Sequence, residues 1–247
     1  MKAANYTERF YRKWTLISDL NTFRVQFKET DLQVYARPKE PCVDLTEITR
    51  NLTIKYRTQI EKSIERFPQF QHSLKPIPLK TDFEITRMMI RLSTCAGVGP
   101  MAGVAGAIAE FVGRGLLAYT EELIIENGGD VFISSRKDRV ALVYAGESSP
   151  FRDKIRLKLR GRATPFGICT SSRRIGHSLS FGNADAALII ARTAIIADVF
   201  ATAVGNLVKS EANIEQAMEF AQKNQEIEGG LILIGDTLAA WGEIEFV

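Results

Sequence analysis

Residues 99–134 read GPMAGVAGAIAEFVGRGLLAYTEELIIENGGDVFIS. The first half sets Gly99, Gly103 and Gly106 among Ala, Ile and Val, with Pro100 directly after a glycine, a favourable place for a helix to start. It predicts a Gly/Ala-rich helix from about Pro100 to Ala118. The second half changes to short apolar runs, Leu123 to Glu126 and Val131 to Ser134, separated by Asn127-Gly128-Gly129-Asp130. Asn-Gly and Gly-Gly steps supply the positive φ angles that a tight hairpin demands. A helix feeding a strand pair indicates the α/β (α+β) class, a mixed sheet packed with helices.

The same alternation extends in both directions. Towards the N-terminus, Thr22 to Lys28 and Thr30 to Arg37 place apolar residues at every second position, as half-buried strands do, with a turn at Glu29. Asp44 is a candidate N-cap with Glu47 three residues on, and Leu45, Ile48, Leu52, Tyr56, Ile60 and Ile64 follow at helical spacing until Pro68. Ile85 to Leu92 is read as a strand. Beyond the hairpin, Val140 to Tyr144 and Ala187 to Ile190 read as strands, and Ala194 to Val208 and Ile214 to Asn224 as helices. Leu231 to Gly235 and Gly242 to Val247 read as a terminal strand pair. No linker rich in Gly, Ser or charge interrupts the chain, so one domain over residues 1–247 is expected.

Composition narrows the function classes. The 32 basic and 29 acidic residues nearly balance, which argues against a dedicated nucleic-acid binder. The residues from Met1 to Lys13 contain no apolar core of a signal peptide, and the uncharged run Ser93 to Ala109 is shorter than the ~20 residues of a membrane helix. A cytoplasmic protein with no membrane span is expected. Cys42, Cys95 and Cys169 are far apart and only His72 and His177 are present, so a disulfide framework, a zinc knuckle and a multi-histidine centre are excluded.

Four segments could carry chemistry. At Gly99, Pro100 and Met101 the free N–H groups of a helix start could hold an anion, and the small residues at 99, 103 and 106 would let a backbone or a flat ring come close; a tightly packed buried helix explains them equally. The turn Asn127, Gly128, Gly129, Asp130 is either a plain hairpin or a place where a phosphate or ring approaches the backbone. Thr170, Ser171 and Ser172, followed by Arg173 and Arg174, read as a loop well supplied with phosphate donors. Asp198 and Thr202 lie four apart in a helix, which puts a carboxylate and a hydroxyl on one apolar face. Oxygen ligands at that spacing suit Mg²⁺; the alternative is a carboxylate stabilised by helix N-terminal amides.

Taken together, these segments resemble the ApbE superfamily. "ENGGD" is similar to that family's "AGGD" turn, "TSS" stands where its "SG" follows, and "ADVFATA" resembles its "ADALATA" metal helix. A closer resemblance is to an uncharacterised prokaryotic branch sharing "GPMAGVAGAIAE", "ENGGD", "TSS…GHSLSFGNADA" and "ADVFATAVGN". The resemblance implies a T-fold-like architecture and a chemistry in which FAD is cleaved with Mg²⁺ and FMN passes to a threonine of an acceptor protein. It implies magnesium ligation by Asp198 and Thr202, cofactor contact at Gly128, Gly129 and Asp130, and a general-base role for His177 towards the acceptor hydroxyl. The chain departs from the transferases after His177, where Ser-Leu-Ser-Phe-Gly replaces their Asp-Pro, and at "GPMAGVAGAIAE", which lacks the Asp and Lys of their "DLGGIAKGYAVD". Two readings follow: a Mg²⁺-assisted enzyme on FAD or another pyrophosphate-bearing nucleotide, or a flavin- or nucleotide-binding accessory protein, suspected in anaerobic sulfur assimilation or homocysteine synthesis. A homo-oligomer is expected under either, and an oligomeric scaffold is a third reading.

One stripe lies outside the resemblance. Lys154, Arg156, Lys158 and Arg160 recur at every second position, opposite Ile155, Leu157 and Leu159. Glu243 and Glu245 alternate in the same way near the C-terminus, so the two segments are expected to be neighbours, within one subunit or across a dimer. A landing surface for an acidic partner is the competing reading.

Overall fold

A computed structural model describes residues 18–146, 149–152, 154–172 and 181–247. The chain opens with the hairpin β1 (Asn21–Phe27) and β2 (Thr30–Pro38), then runs through α1 (Leu45–Arg66), α2 (Gln69–His72) and α3 (Glu84–Ala96). A 3-10 turn over Pro100–Gly103 leads into α4 (Val104–Leu116), followed by β3 (Thr120–Asn127), β4 (Asp130–Ser134), β5 (Arg139–Leu142), β6 (Arg156–Leu159) and β7 (Phe166–Ser171). The remainder is β8 (Ala186–Ala191), α5 (Ala194–Leu207), α6 (Ile214–Gln222), β9 (Ile227–Ile234) and β10 (Thr237–Gly242).

Eight strands form one sheet in the order β1-β2-β3-β4-β7-β8-β9-β10, and every pairing in it is antiparallel. This is the α/β architecture expected. Its two faces carry different cores. Leu123 and Ile125 join the helices on one side, while Ile124 joins a second cluster with Ile133, Ile168 and Leu188, against which Leu157 and Leu159 of β6 pack. A central strand buried on both faces has no polar side, which explains the unbroken apolar run of β3 and the fully buried β8. Helix α5 is buried continuously from Ala194 to Gly205, as a helix apolar all round must be.

Several elements match the sequence reading closely. Asp44 accepts the Glu47 N–H at 3.0 Å and α1 ends at Arg66. Three assignments are corrected. Ile85 to Leu92 is helical, because Ile85, Met89, Leu92 and Ala96 are buried at helical rather than alternating spacing. Thr170 and Ser171 are not loop: they end β7, whose strand character was hidden by Gly167 and the short polar residues that close it. The last strand is β10, earlier than Gly242 to Val247, because Gly242 (φ 68°) turns the chain away. The residues after it run beside β6 instead, through the bridge Leu157 to Phe246, the Lys158 N–H to the Glu245 carbonyl at 2.8 Å and the Val247 N–H to Arg156 at 3.1 Å. The cationic strand and the acidic C-terminal segment therefore meet within one chain. Glu245 takes Arg160 at 3.1 Å and Lys158 at 3.7 Å, while Lys158 also reaches Asp138 at 3.1 Å. Among the described residues no single helix is long and apolar enough to cross a membrane.

Candidate functional site

The four segments singled out by sequence converge where α4 begins. Helices α4 and α5 pass each other in opposite senses, with Ala102 beside Thr202, Gly103 against Val199, and Gly106 against Ala194 and Asp198. Their approach leaves no room for side chains. A Cβ on Gly103 would stand 2.5 Å from a Val199 methyl, and one on Gly106 would stand 2.7 Å from the Asp198 Cβ and collide with the Ala194 carbonyl. At Gly106 the close neighbour is protein backbone, and at Gly103 it is an aliphatic side chain. Gly99 is likewise packed, its Cβ position filled by the Ser73 and Leu74 backbone, while Pro100 is buried and Met101 half-buried.

Asp198 is buried, and its Oδ2 accepts the Gly106 N–H at 2.8 Å, with the Ala105 N–H as a second donor. The anion held by the N-terminus of α4 is thus a carboxylate of the chain itself, carried by another helix. Burial pushes the Asp198 carboxyl up to about 7, and the two amide hydrogen bonds act against that rise. The Ala105 carbonyl accepts the Asn127 side-chain amide at 3.1 Å, so the peptide unit at the start of α4 is gripped by the hairpin turn on one side and by α5 on the other. Thr202 Oγ1 stands 3.5 Å from the Ala102 carbonyl.

The hairpin turn lies alongside. Gly128 and Gly129 have φ of 74° and 101°, the conformations an Asn-Gly-Gly step was expected to supply, and the Gly129 N–H donates to Glu126 Oε1 at 2.9 Å. Asp130 is buried and pairs in register with Cys169 on β7. The Cys169 thiol donates to the Ala194 carbonyl at 3.3 Å, and burial, with Asp130 and Asp198 nearby, pushes it well above the usual thiol range. Thr170 is half-buried beside the Gly129 turn, and Ser171 lies under Gly205 of α5, with Ser172 buried next to it. His177 lies outside the described residues.

Sequence reasoning passed over three members of this constellation: Glu110, Cys169 and the Ala102 carbonyl. Glu110 Oε2 accepts the Ala194 N–H at 2.7 Å and Oε1 accepts Arg114 Nε at 2.7 Å. Its signal was legible, since it is the one charge in the otherwise uncharged first half of α4. A carbonyl carries no sequence signal at all. Among the described residues no three His, Cys, Asp or Glu side chains gather as a metal site. Asp198 and Thr202, one turn apart on α5, and the Ala102 carbonyl beside Thr202 supply a carboxylate, a hydroxyl and a carbonyl, all oxygen, the chemistry that hard divalent cations take with water or phosphate completing the shell.

The family model described as AbpE bacteria matches residues 14–226. A UPF0280 protein of Methanothrix thermoacetophila is 39% identical over 201 residues, covering 80% of this chain and 84% of that protein. A UPF0280 protein of Methanocaldococcus jannaschii is 36% identical over 226 residues, covering 90% of each. Among solved structures, the flavinyl transferase ApbE of Pseudomonas stutzeri superposes with a TM-score of 0.61 at 14% identity, over 90% of this chain and 94% of that one. The flavin transferase ApbE of Vibrio cholerae gives 0.60 at 10% identity, over 90% and 96%. At such identities the likeness is one of fold, whereas the family match spans most of the sequence. The chain belongs to the AbpE bacteria family.

Proposed function

We propose that this protein handles a flavin or another pyrophosphate-bearing nucleotide, with FAD or FMN as the flavin, at a Mg²⁺ site formed by Asp198, Thr202 and the Ala102 carbonyl. The observation that carries this reading is the placement of Asp198 and Thr202 one turn apart on α5, with the Ala102 carbonyl 3.5 Å from the Thr202 hydroxyl, near a turn with two positive-φ glycines and a hydroxyl-rich strand end. Gly128, Gly129 and Asp130 would face the nucleotide, Thr170, Ser171 and Ser172 would donate to its phosphates, and Gly99, Pro100 and Met101 would form the wall leading to Ala102. A bound cation would withdraw charge from the pyrophosphate oxygens as a Lewis acid. The chain's own part is to orient Asp198 through the Ala105 and Gly106 amides, which oppose the effect of burial on its carboxyl, and to surround it with apolar side chains.

In the enzymatic form of this reading, FAD and water give FMN and AMP, or FAD and an acceptor hydroxyl give the FMN phosphoester and AMP, with His177 as base in the second case. A binding role without turnover is favoured by two observations: Asp198 is already committed to two amides, and "GPMAGVAGAIAE" lacks the Asp and Lys of the transferases. The sulfur-assimilation or homocysteine-synthesis accessory role belongs to that version, as a homo-oligomer in the cytoplasm. Incubation with FAD and Mg²⁺ followed by chromatography separates them. FMN and AMP release identifies the enzyme, retained flavin without release identifies the binder, and neither binding nor release overturns both.

A further inference from the structure

We infer that Glu110 is a positioning residue for the proposed cation site, acting through α5 rather than touching the ligand; the inference rests on the reading of Asp198, Thr202 and Ala102 given above. Glu110 is 2% exposed in a helix that is otherwise apolar around it, and a buried carboxylate is costly unless it does something. Its two oxygens have separate partners. Arg114, half-exposed, neutralises Oε1, and Oε2 is left to accept the first N–H of α5 at Ala194.

Helix α5 does not need that bond in order to start. Thr193 is already its N-cap, its hydroxyl accepting the Ile196 N–H at 3.3 Å. The Glu110 contact therefore serves the relation between the helices. It has a counterpart in the opposite direction, since Asp198 of α5 holds the Ala105 and Gly106 amides of α4. Each helix carries a carboxylate that closes the first turn of the other. The two ties are four residues apart on each helix, about 6 Å at 1.5 Å per residue, which fixes both the sliding and the tilt of one helix against the other. One further turn along α5, Thr202 stands 3.5 Å from the Ala102 carbonyl. With glycines at 103 and 106 removing any side chain that could wedge the gap, the geometry of the three oxygens depends on the Glu110 anchor.

The test uses the full-length chain and Mg²⁺ titrated calorimetrically, with thermal unfolding followed in parallel. Glu110→Gln retains an acceptor for Ala194 and should keep Mg²⁺ affinity within about threefold. Glu110→Ala should weaken it by about tenfold or more while still melting cooperatively, the size of loss seen when residues supporting metal ligands are removed. Arg114→Ala leaves the Ala194 bond in place and should bind as wild type does. If Glu110→Ala does not fold, Glu110→Asp, one methylene short of Ala194, takes its place with the same expectation. A lower melting temperature with unchanged Mg²⁺ affinity makes Glu110 merely structural and overturns the inference while leaving the site standing. Wild-type protein that binds no Mg²⁺, alone or with FAD, overturns the site itself and this inference with it.

Discussion

Asp198 on α5 and Gly106 on α4, 92 residues apart in sequence, are joined by a 2.8 Å hydrogen bond from a backbone amide to a buried carboxylate. Replacing that carboxylate by the isosteric amide separates its two duties. Asp198→Asn keeps a carbonyl oxygen for Gly106, so stability should change by only about 1 kcal/mol, the net worth of one hydrogen bond. The charge needed for a divalent cation is gone, so the heat of Mg²⁺ binding should vanish. A variant with wild-type Mg²⁺ affinity would remove Asp198 from the cation site.

Glycine at 106 is demanded by the Ala194 backbone, which cannot rotate away as a side chain could. Gly106→Ala should therefore separate α4 from α5 at a cost of about 1–3 kcal/mol, and Gly103→Leu, pressing on Val199, should cost a similar amount. Denaturant unfolding measures both. Wild-type midpoints would mean that the helices are further apart than the structure has them.

The C-terminal segment offers a test of charge pairing. Glu245 meets Arg160 and Lys158, whereas Glu243 is tied to Glu228 through its backbone N–H. A double-mutant cycle of Glu245→Lys with Arg160→Glu should show a coupling of roughly 0.2–1 kcal/mol, at the low end because Arg160 is largely exposed. The same cycle with Glu243→Lys should be additive.

Acid sensitivity should centre on Glu122. Burial acts to raise its carboxyl, but hydrogen bonds from Ser135, Arg139 and the Arg136 N–H together outweigh burial and hold it below the usual carboxylate range. Hydrogen bonds from Arg139 and Lys137 hold exposed Asp19 low in the same cluster. A carboxyl depressed on folding contributes stability that is complete above its unfolded value, about 4.3 for Glu, and is lost as pH falls through the lower folded value. Melting temperature should therefore fall more steeply in the wild type than in Glu122→Gln as pH drops below about 4.3. Equal slopes would show that the cluster does not form.

Much of this molecule was legible in sequence because local rules and tertiary demands agree. The Asp44 cap, the Asn-Gly-Gly hairpin and the alternation of Leu157 and Leu159 with Arg156 and Lys158 each have one physical solution. Ile85 to Leu92 failed because a short apolar run fits a strand and a helix alike until Met89 and Ala96 are known to share its buried face. At the site, the types of Asp198, Thr202 and Asn127 announced themselves, but their partners did not. Ala102 and Ala105 contribute backbone atoms, and nothing in an alanine's identity says that its carbonyl is in use.

The reciprocal closure of α4 and α5 also orders events during synthesis. Glu110 leaves the ribosome 84 residues before Ala194, and Gly106 leaves 92 residues before the carboxylate that holds it. Chains fold from the N-terminus as they emerge, and contacts this distant carry the entropy of closing the loop between them. Helix α4 and the first half of the sheet can assemble early, but with a buried acid still lacking its amide and a first turn still open. Nascent chains halted before residue 194 should hold this region loosely, and the start of α4 takes its final shape only once α5 has arrived.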